Sequence, residues 1–127
     1  MEYYDYSVVV CGCTKNSSQY IENHLNVLMS LKSIFRCYRI VVYENDSNDD
    51  TVNKLEQFKK HNEEFNYISE NNVHNFANII PWLQTRPQYI AHGRNMLLKY
   101  IHTHHNDIDY LICVDLDDVI SQLKPKQ

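Results

Sequence analysis

The apolar and polar positions alternate between two kinds of segment. Residues 6–13 (YSVVVCGC) and 38–43 (YRIVVY) are dense β-branched runs, which predict strands buried on both faces. Residues 65–69 (FNYIS) predict a short third strand, and residues 109–114 (DYLICV) a fourth that is again buried. Between the runs the spacing becomes helical. Ile21, Leu25, Leu28 and Phe35 make one stripe, with Ser17 and Ser18 placed to cap it. Ser47-Asn48-Asp49-Asp50 has the form of a capping box and opens a helix with Val52, Leu55 and Phe58 inward. Pro87 suits the first turn of a last helix running to about His104. Its stripe is Ile90, Ala91, Leu97, Leu98 and Ile101, with Arg94 in line four residues after Ile90. Residues 73–86, containing Pro81-Trp82, follow neither period and read as irregular.

The resulting order, β-α-β-α-β-loop-α-β, predicts an α/β fold: a Rossmann-like, mostly parallel sheet flanked by helices, with right-handed crossovers. In such sheets ligands bind beyond the carboxyl ends of the strands. Here those ends read Cys13-Thr14-Lys15-Asn16, Glu44-Asn45-Asp46-Ser47, Glu70-Asn71-Asn72 and Asp115-Leu116-Asp117-Asp118. All are polar and three carry carboxylates, so their convergence on one edge predicts a site. The last is the most specific. Asp115, Asp117 and Asp118 repel one another, and a divalent cation removes the repulsion. Hard oxygen ligands of this kind suit Mg²⁺ or Mn²⁺ shared with a substrate's phosphates. Arg94 on an apolar stripe needs an anionic partner, which is either an internal carboxylate or an anionic ligand.

Composition narrows the classes. With 127 residues, 43% of them hydrophobic, residues 1–127 predict one globular domain that buries roughly two-thirds of its unfolded surface. No run approaches ~18 consecutive apolar residues, so no membrane span is expected. The start, Met1-Glu2-Tyr3-Tyr4-Asp5-Tyr6, lacks the basic and apolar regions of a secretory signal, and a cytoplasmic location follows as the expectation. A net charge of −4 without a basic stripe argues against nucleic acid as the partner. Cys11, Cys13, Cys37 and Cys113 include no CxxC pair, and three of them sit in apolar runs, which predicts buried reduced thiols. Abundant Asn, Ile, Lys and Tyr with only 2 Gly is the bias expected of an AT-rich genome, such as a viral or protist one, rather than of a function. His102-x-His104-His105 reads as a solvated helix end and Trp82 as a packing plug, while His92 lies near Arg94.

These motifs resemble those of nucleotide-diphospho-sugar glycosyltransferases with a GT-A fold. The stretch Val41-Val42-Tyr43-Glu44-Asn45-Asp46-Ser47-Asn48-Asp49-Asp50-Thr51 resembles their second-strand motif, an acidic and small-polar turn followed by Ser-x-Asp-x-Thr. Arg86-x3-Ile90-Ala91-x2-Arg94-Asn95 resembles an element of the capsule-associated (CAP59-like) α-mannosyltransferase group, and Asp115-Leu116-Asp117 is similar to the GT-A Asp-x-Asp motif. The resemblance implies a donor site for a UDP- or GDP-linked sugar. In it Thr14, Glu44, Asn45 and Asp46 line the nucleoside pocket, and Arg94 contacts base or phosphate. Asp115 meets the ribose or the metal and Asp117 the metal, Mn²⁺ or Mg²⁺. Asp46 stands where many of that family carry Gly or Asn.

The chain stops nine residues after Asp118, so the expectation is a donor-binding half, with the acceptor portion missing or supplied by a partner or a homo-oligomer. The donor sugar and the glycan or protein acceptor stay open. A non-catalytic nucleotide-sugar-binding module is one rival. A haloacid-dehalogenase-like phosphotransferase, whose first Asp is a nucleophile, is another.

Overall fold

The computed structural model describes residues 4–71 and 86–116. In chain order these form β1 (Tyr4–Thr14), α1 (Ile21–Met29), a 3₁₀ turn (Lys32–Ile34) and β2 (Phe35–Asn45), then α2 (Thr51–His61), β3 (Phe65–Glu70), α3 (Arg86–His104) and β4 (Tyr110–Cys113). The strands make one all-parallel sheet in the order β3-β2-β1-β4. The fold is therefore a Rossmann-like α/β arrangement, as the alternation of strand and helix patterns predicts.

The dense apolar runs occupy the middle of the sheet because both of its faces are covered there. Val8, Val10, Ile40 and Val42 pack with Ile21, Leu25 and Leu55 on the side of α1 and α2. Val9, Cys11, Val41 and Tyr43 meet Leu97 and Ile101 of α3 on the other. Strands are added outward from β1 to β3, and the chain then returns to the far side of β1. That reversal requires a right-handed crossover to place α3 opposite α1 and α2. No helix among the described residues is long and apolar enough to cross a membrane.

Several local expectations are corrected. Phe35 does not extend the α1 stripe. The helix ends at Met29, and Phe35 opens β2 opposite Tyr4 and stacks on Tyr38. Ser17 and Ser18 do not cap α1, whose N-cap Tyr20 makes no side-chain cap bond. Nor does the N-cap of α2, Asp50; Asp49 Oδ1 instead accepts the Thr51 N–H at 3.0 Å. Leu55 is buried and Phe58 packs at the edge of the core as expected.

The larger correction concerns β4, which is not a buried strand. Among the described residues it pairs only with β1, and Tyr110, Leu111 and Ile112 are 54%, 37% and 41% exposed. The helix that could cover it, α3, lies over β1 and β2. Cys113 is exposed with it and Cys13 is half-buried, so of the three thiols placed in apolar runs only Cys11 is fully buried. In α3 the inward seam is Gly93, Leu97 and Ile101, whereas Ala91 and Leu98 face outward. Gly93 sets this rotation: a Cβ there would lie 2.7 Å from Tyr43 Cδ1 and 2.9 Å from Cys13 Sγ. Residues 73–85 with Pro81 and Trp82, and the pair Asp117 and Asp118, lie outside the described residues.

Candidate functional site

The reversal of strand order leaves a crevice between the carboxyl ends of β1 and β4, where parallel α/β sheets place their ligands. A cavity of about 640 Å³ opens there. Its floor is Cys11, Gly12 and Cys13 of β1 with Tyr43 of β2, and Ile90, Arg94 and Leu97 of α3 roof it.

One rim is built from the loops after β1 and β2, which are bonded to each other. The Asn16 N–H donates to Ser47 Oγ at 2.9 Å, and the Asn48 N–H donates to Asn16 Oδ1 at 2.8 Å. The Ser17 N–H donates to Thr51 Oγ1 at 2.8 Å, the Ser18 N–H to Asp49 Oδ2 at 3.1 Å, and Lys54 Nζ to the Ser18 carbonyl at 2.6 Å. Asn16 and Asp46 take left-handed backbone conformations (φ 50° and 52°), which Asn and Asp adopt more readily than other side chains. Burial pushes the Asp49 carboxyl up, but hydrogen bonds from Thr51 and Ser18 outweigh it and hold the group at about 2.

The other rim is residues 114–116. The Val114 N–H donates to the Cys11 carbonyl at 2.9 Å. Leu116 then crosses the end of β1 into the α1/α2 core, 3% exposed, where Thr14 Oγ1 donates to its carbonyl at 3.3 Å. Gly12 permits this crossing, because a Cβ there would stand 2.6 Å from the Val114 carbonyl oxygen.

Of the predicted site residues, the fold brings Thr14, Asn45, Asp46, Arg94 and Asp115 to the wall of this one cavity. Glu44 is not on the wall. It is 0% exposed and points to the α1/α2 side like Ile40 and Val42, accepting the Ser47 N–H at 2.7 Å and the Ser69 hydroxyl at 2.5 Å. Its carboxylate shapes the β2 turn instead of meeting a ligand. Arg94 is not buried on the α3 seam either. Its side chain is 59% exposed at the cavity mouth, 3.9 Å from Asp115 Oδ1, with Asp115 78% exposed. The two charges thus face each other without the cost of a buried ion pair.

Sequence reasoning missed two groups. The Tyr43 hydroxyl donates to Glu70 Oε1 at 2.6 Å, and His92 Nε2 lies 3.0 Å from the same oxygen. Burial, then the Glu70 bond, drives the Tyr43 phenol strongly up, so it stays a protonated donor. The other group is sulfur. Cys11, Cys13 and Cys113 all line the cavity, and Cys11 Sγ is 3.6 Å from Cys113 Sγ. Burial raises the Cys11 thiol to about 12, reinforced by Cys113, and raises Cys13 to about 11 against the opposing pull of Arg94. Period-two alternation from Cys11 to Cys13 and Gly93 inside a helical pattern were the available signals.

Among the described residues no three or more His, Cys, Asp or Glu side chains converge to hold a metal ion. No protein-family model matches the chain, and no curated protein matches it in sequence.

Proposed function

We propose that this chain is the donor-binding part of a metal-dependent glycosyltransferase of the GT-A type, taking a nucleoside-diphosphate sugar with UDP or GDP as the nucleotide. The observation that carries the reading is the Arg94–Asp115 pair, 3.9 Å apart at the mouth of the cavity between β1 and β4. A guanidinium and a carboxylate at this position give a diphosphate one direct cationic contact and one oxygen ligand for a shared cation.

In this reading Thr14, Asn45 and Asp46 flank the nucleoside, and the bonded loops hold them in place before ligand arrives. Arg94 takes a phosphate oxygen. Asp115 meets the ribose or the cation, joined by Asp117. The described residues fit a weakly held ion, because Mg²⁺ and Mn²⁺ commonly use one or two carboxylates and take the remaining ligands from phosphate and water. When bound, the metal acts as a Lewis acid that neutralises charge gathering on the departing nucleoside diphosphate. Arg94 bears on how much metal is needed. It already offsets the Asp115 charge, so an incoming diphosphate must draw it away from that carboxylate.

Melting the purified chain with UDP or GDP, with and without Mn²⁺, tests the reading. Ligand at 100 times its Kd stabilises by ~2.7 kcal/mol, a rise of several degrees for a chain of this size. Asp115→Ala should abolish the metal-dependent part of that rise. A rise that ignores Mn²⁺ would assign the phosphates to Arg94 alone. If every nucleoside diphosphate leaves the melting curve unmoved, the donor-site reading fails.

A further inference from the structure

We propose that Cys11 and Cys113 form a reversible dithiol–disulfide pair in the wall of the cavity, oxidised by small-molecule disulfides. The inference stands whatever the cavity binds. Cys11 and Cys113 are directly opposed in the parallel register of β1 and β4, and their sulfurs lie 3.6 Å apart. Neighbouring strands are about 4.8 Å apart, inside the ~4.4–6.8 Å range of Cα separations that a disulfide spans. The sulfurs must close from 3.6 Å to about 2.05 Å.

Accessibility orders the two steps. Cys113 is exposed on β4, the outer strand among the described residues, whereas Cys11 is 3% exposed in the core. The Cys113 thiolate attacks one sulfur of the oxidant, breaking its S–S bond and expelling one small thiolate. The Cys11 sulfur, giving up its proton, then attacks Cys113 Sγ and expels the second. Two protein thiols and one small disulfide become one protein disulfide and two small thiols. The two electrons lost by the pair reduce the oxidant, and the two protein protons end on the departing sulfurs.

The geometry favours a switch over a permanent staple. Directly opposed residues hold their Cβ atoms about as far apart as their strands, wider than the ~3.8 Å of a relaxed bridge. A strained bridge is more easily reduced. Closure would also draw in the strand end that carries Val114 and Asp115, so the oxidised chain presents a different mouth to its ligand.

The test incubates the purified chain with oxidised glutathione, quenches with acid, and alkylates in denaturant so that burial hides no thiol. We expect two of the four cysteines to be blocked and a non-reducing peptide map to join Cys11 to Cys113, with dithiothreitol restoring both. Cys13→Ser should form the bridge as the native chain does, and Cys113→Ser should lose it. A glutathione adduct that persists on Cys113 beside a free Cys11, a bridge through Cys13 or Cys37, or a Cys113–Cys113 dimer would each overturn the proposal.

Discussion

The two rims of the cavity are held in different ways. The loops after β1 and β2 are joined by bonds among Asn16, Ser17, Ser18, Ser47, Asp49 and Thr51, and Asn16 and Asp46 fix their backbone in left-handed turns. The rim at residues 114–116 leaves an exposed strand and is held by one fully buried side chain, Leu116, and by the bonds from Val114 to Cys11 and from Thr14 to Leu116. A rim set before binding fixes the shape a ligand must match, because no ordering cost falls due at that moment. A rim with fewer ties between loops leaves the position of Asp115 more adjustable. Of the charged pair, Asp115 sits on that side and Arg94 stands on α3.

The buried Leu116 side chain is where the comparison can be broken most decisively. Leu116→Ala removes a buried side chain from the α1/α2 core and should cost about 2–5 kcal/mol in urea unfolding. A loss below about 1 kcal/mol would mean that something other than this side chain holds the Asp115 rim.

On the wired rim, Asp49→Ala removes the acceptor for the Thr51 and Ser18 N–H groups and should cost about 0.5–2 kcal/mol. Asp49 also makes the wiring sensitive to acid. Its carboxyl is held at about 2, below the ordinary 3.8, so ionised Asp49 favours the folded state above roughly pH 4. That contribution fades as pH falls through 4 towards 2. Asp49→Asn keeps one acceptor and should flatten this part of the stability curve, by a small amount because the side chain is exposed. An unchanged slope between native chain and variant would remove Asp49 from the account.

The smallest stability effect belongs to the charged pair. Arg94→Met and Asp115→Asn should each shift unfolding by no more than about 1 kcal/mol, since both groups are largely in solvent. A loss of several kcal/mol from either would recast the pair as structural and sharpen the contrast with the opposite rim.

What the sequence revealed follows from which faces are covered. The runs around Val9 and Val41 are buried on both sides and read unambiguously as central strands. The run Tyr110-Leu111-Ile112-Cys113 looks the same in one dimension, and period alone does not separate a covered strand from an exposed one. Convergence of the strand ends was legible, because parallel strands in sequence order put their carboxyl ends together. The roles of individual side chains there were less so. Glu44 shares a face with Ile40 and Val42, so strand alternation alone turns it away from the cavity and from its neighbour Asn45. Arg94 shares the helical spacing of the apolar stripe, but the close seating of Gly93 on Tyr43 rotates the seam and leaves Arg94 at the mouth. Bonds between loops, such as Asn16 to Ser47, join residues 31 positions apart and leave no local pattern.

The seating of Gly93 has a consequence for how such a site can change. α3 roofs the cavity, and its distance from the floor is fixed where residue 93 meets the Tyr43 ring and the Cys13 sulfur, with no room for one added carbon. A methyl group at that position would lift the roof and carry Ile90, Arg94 and Leu97 with it. The depth of the cavity is therefore encoded by an atom that is missing, at a residue outside the cavity lining, and a lineage can rescale its site there while every residue facing the ligand keeps its identity.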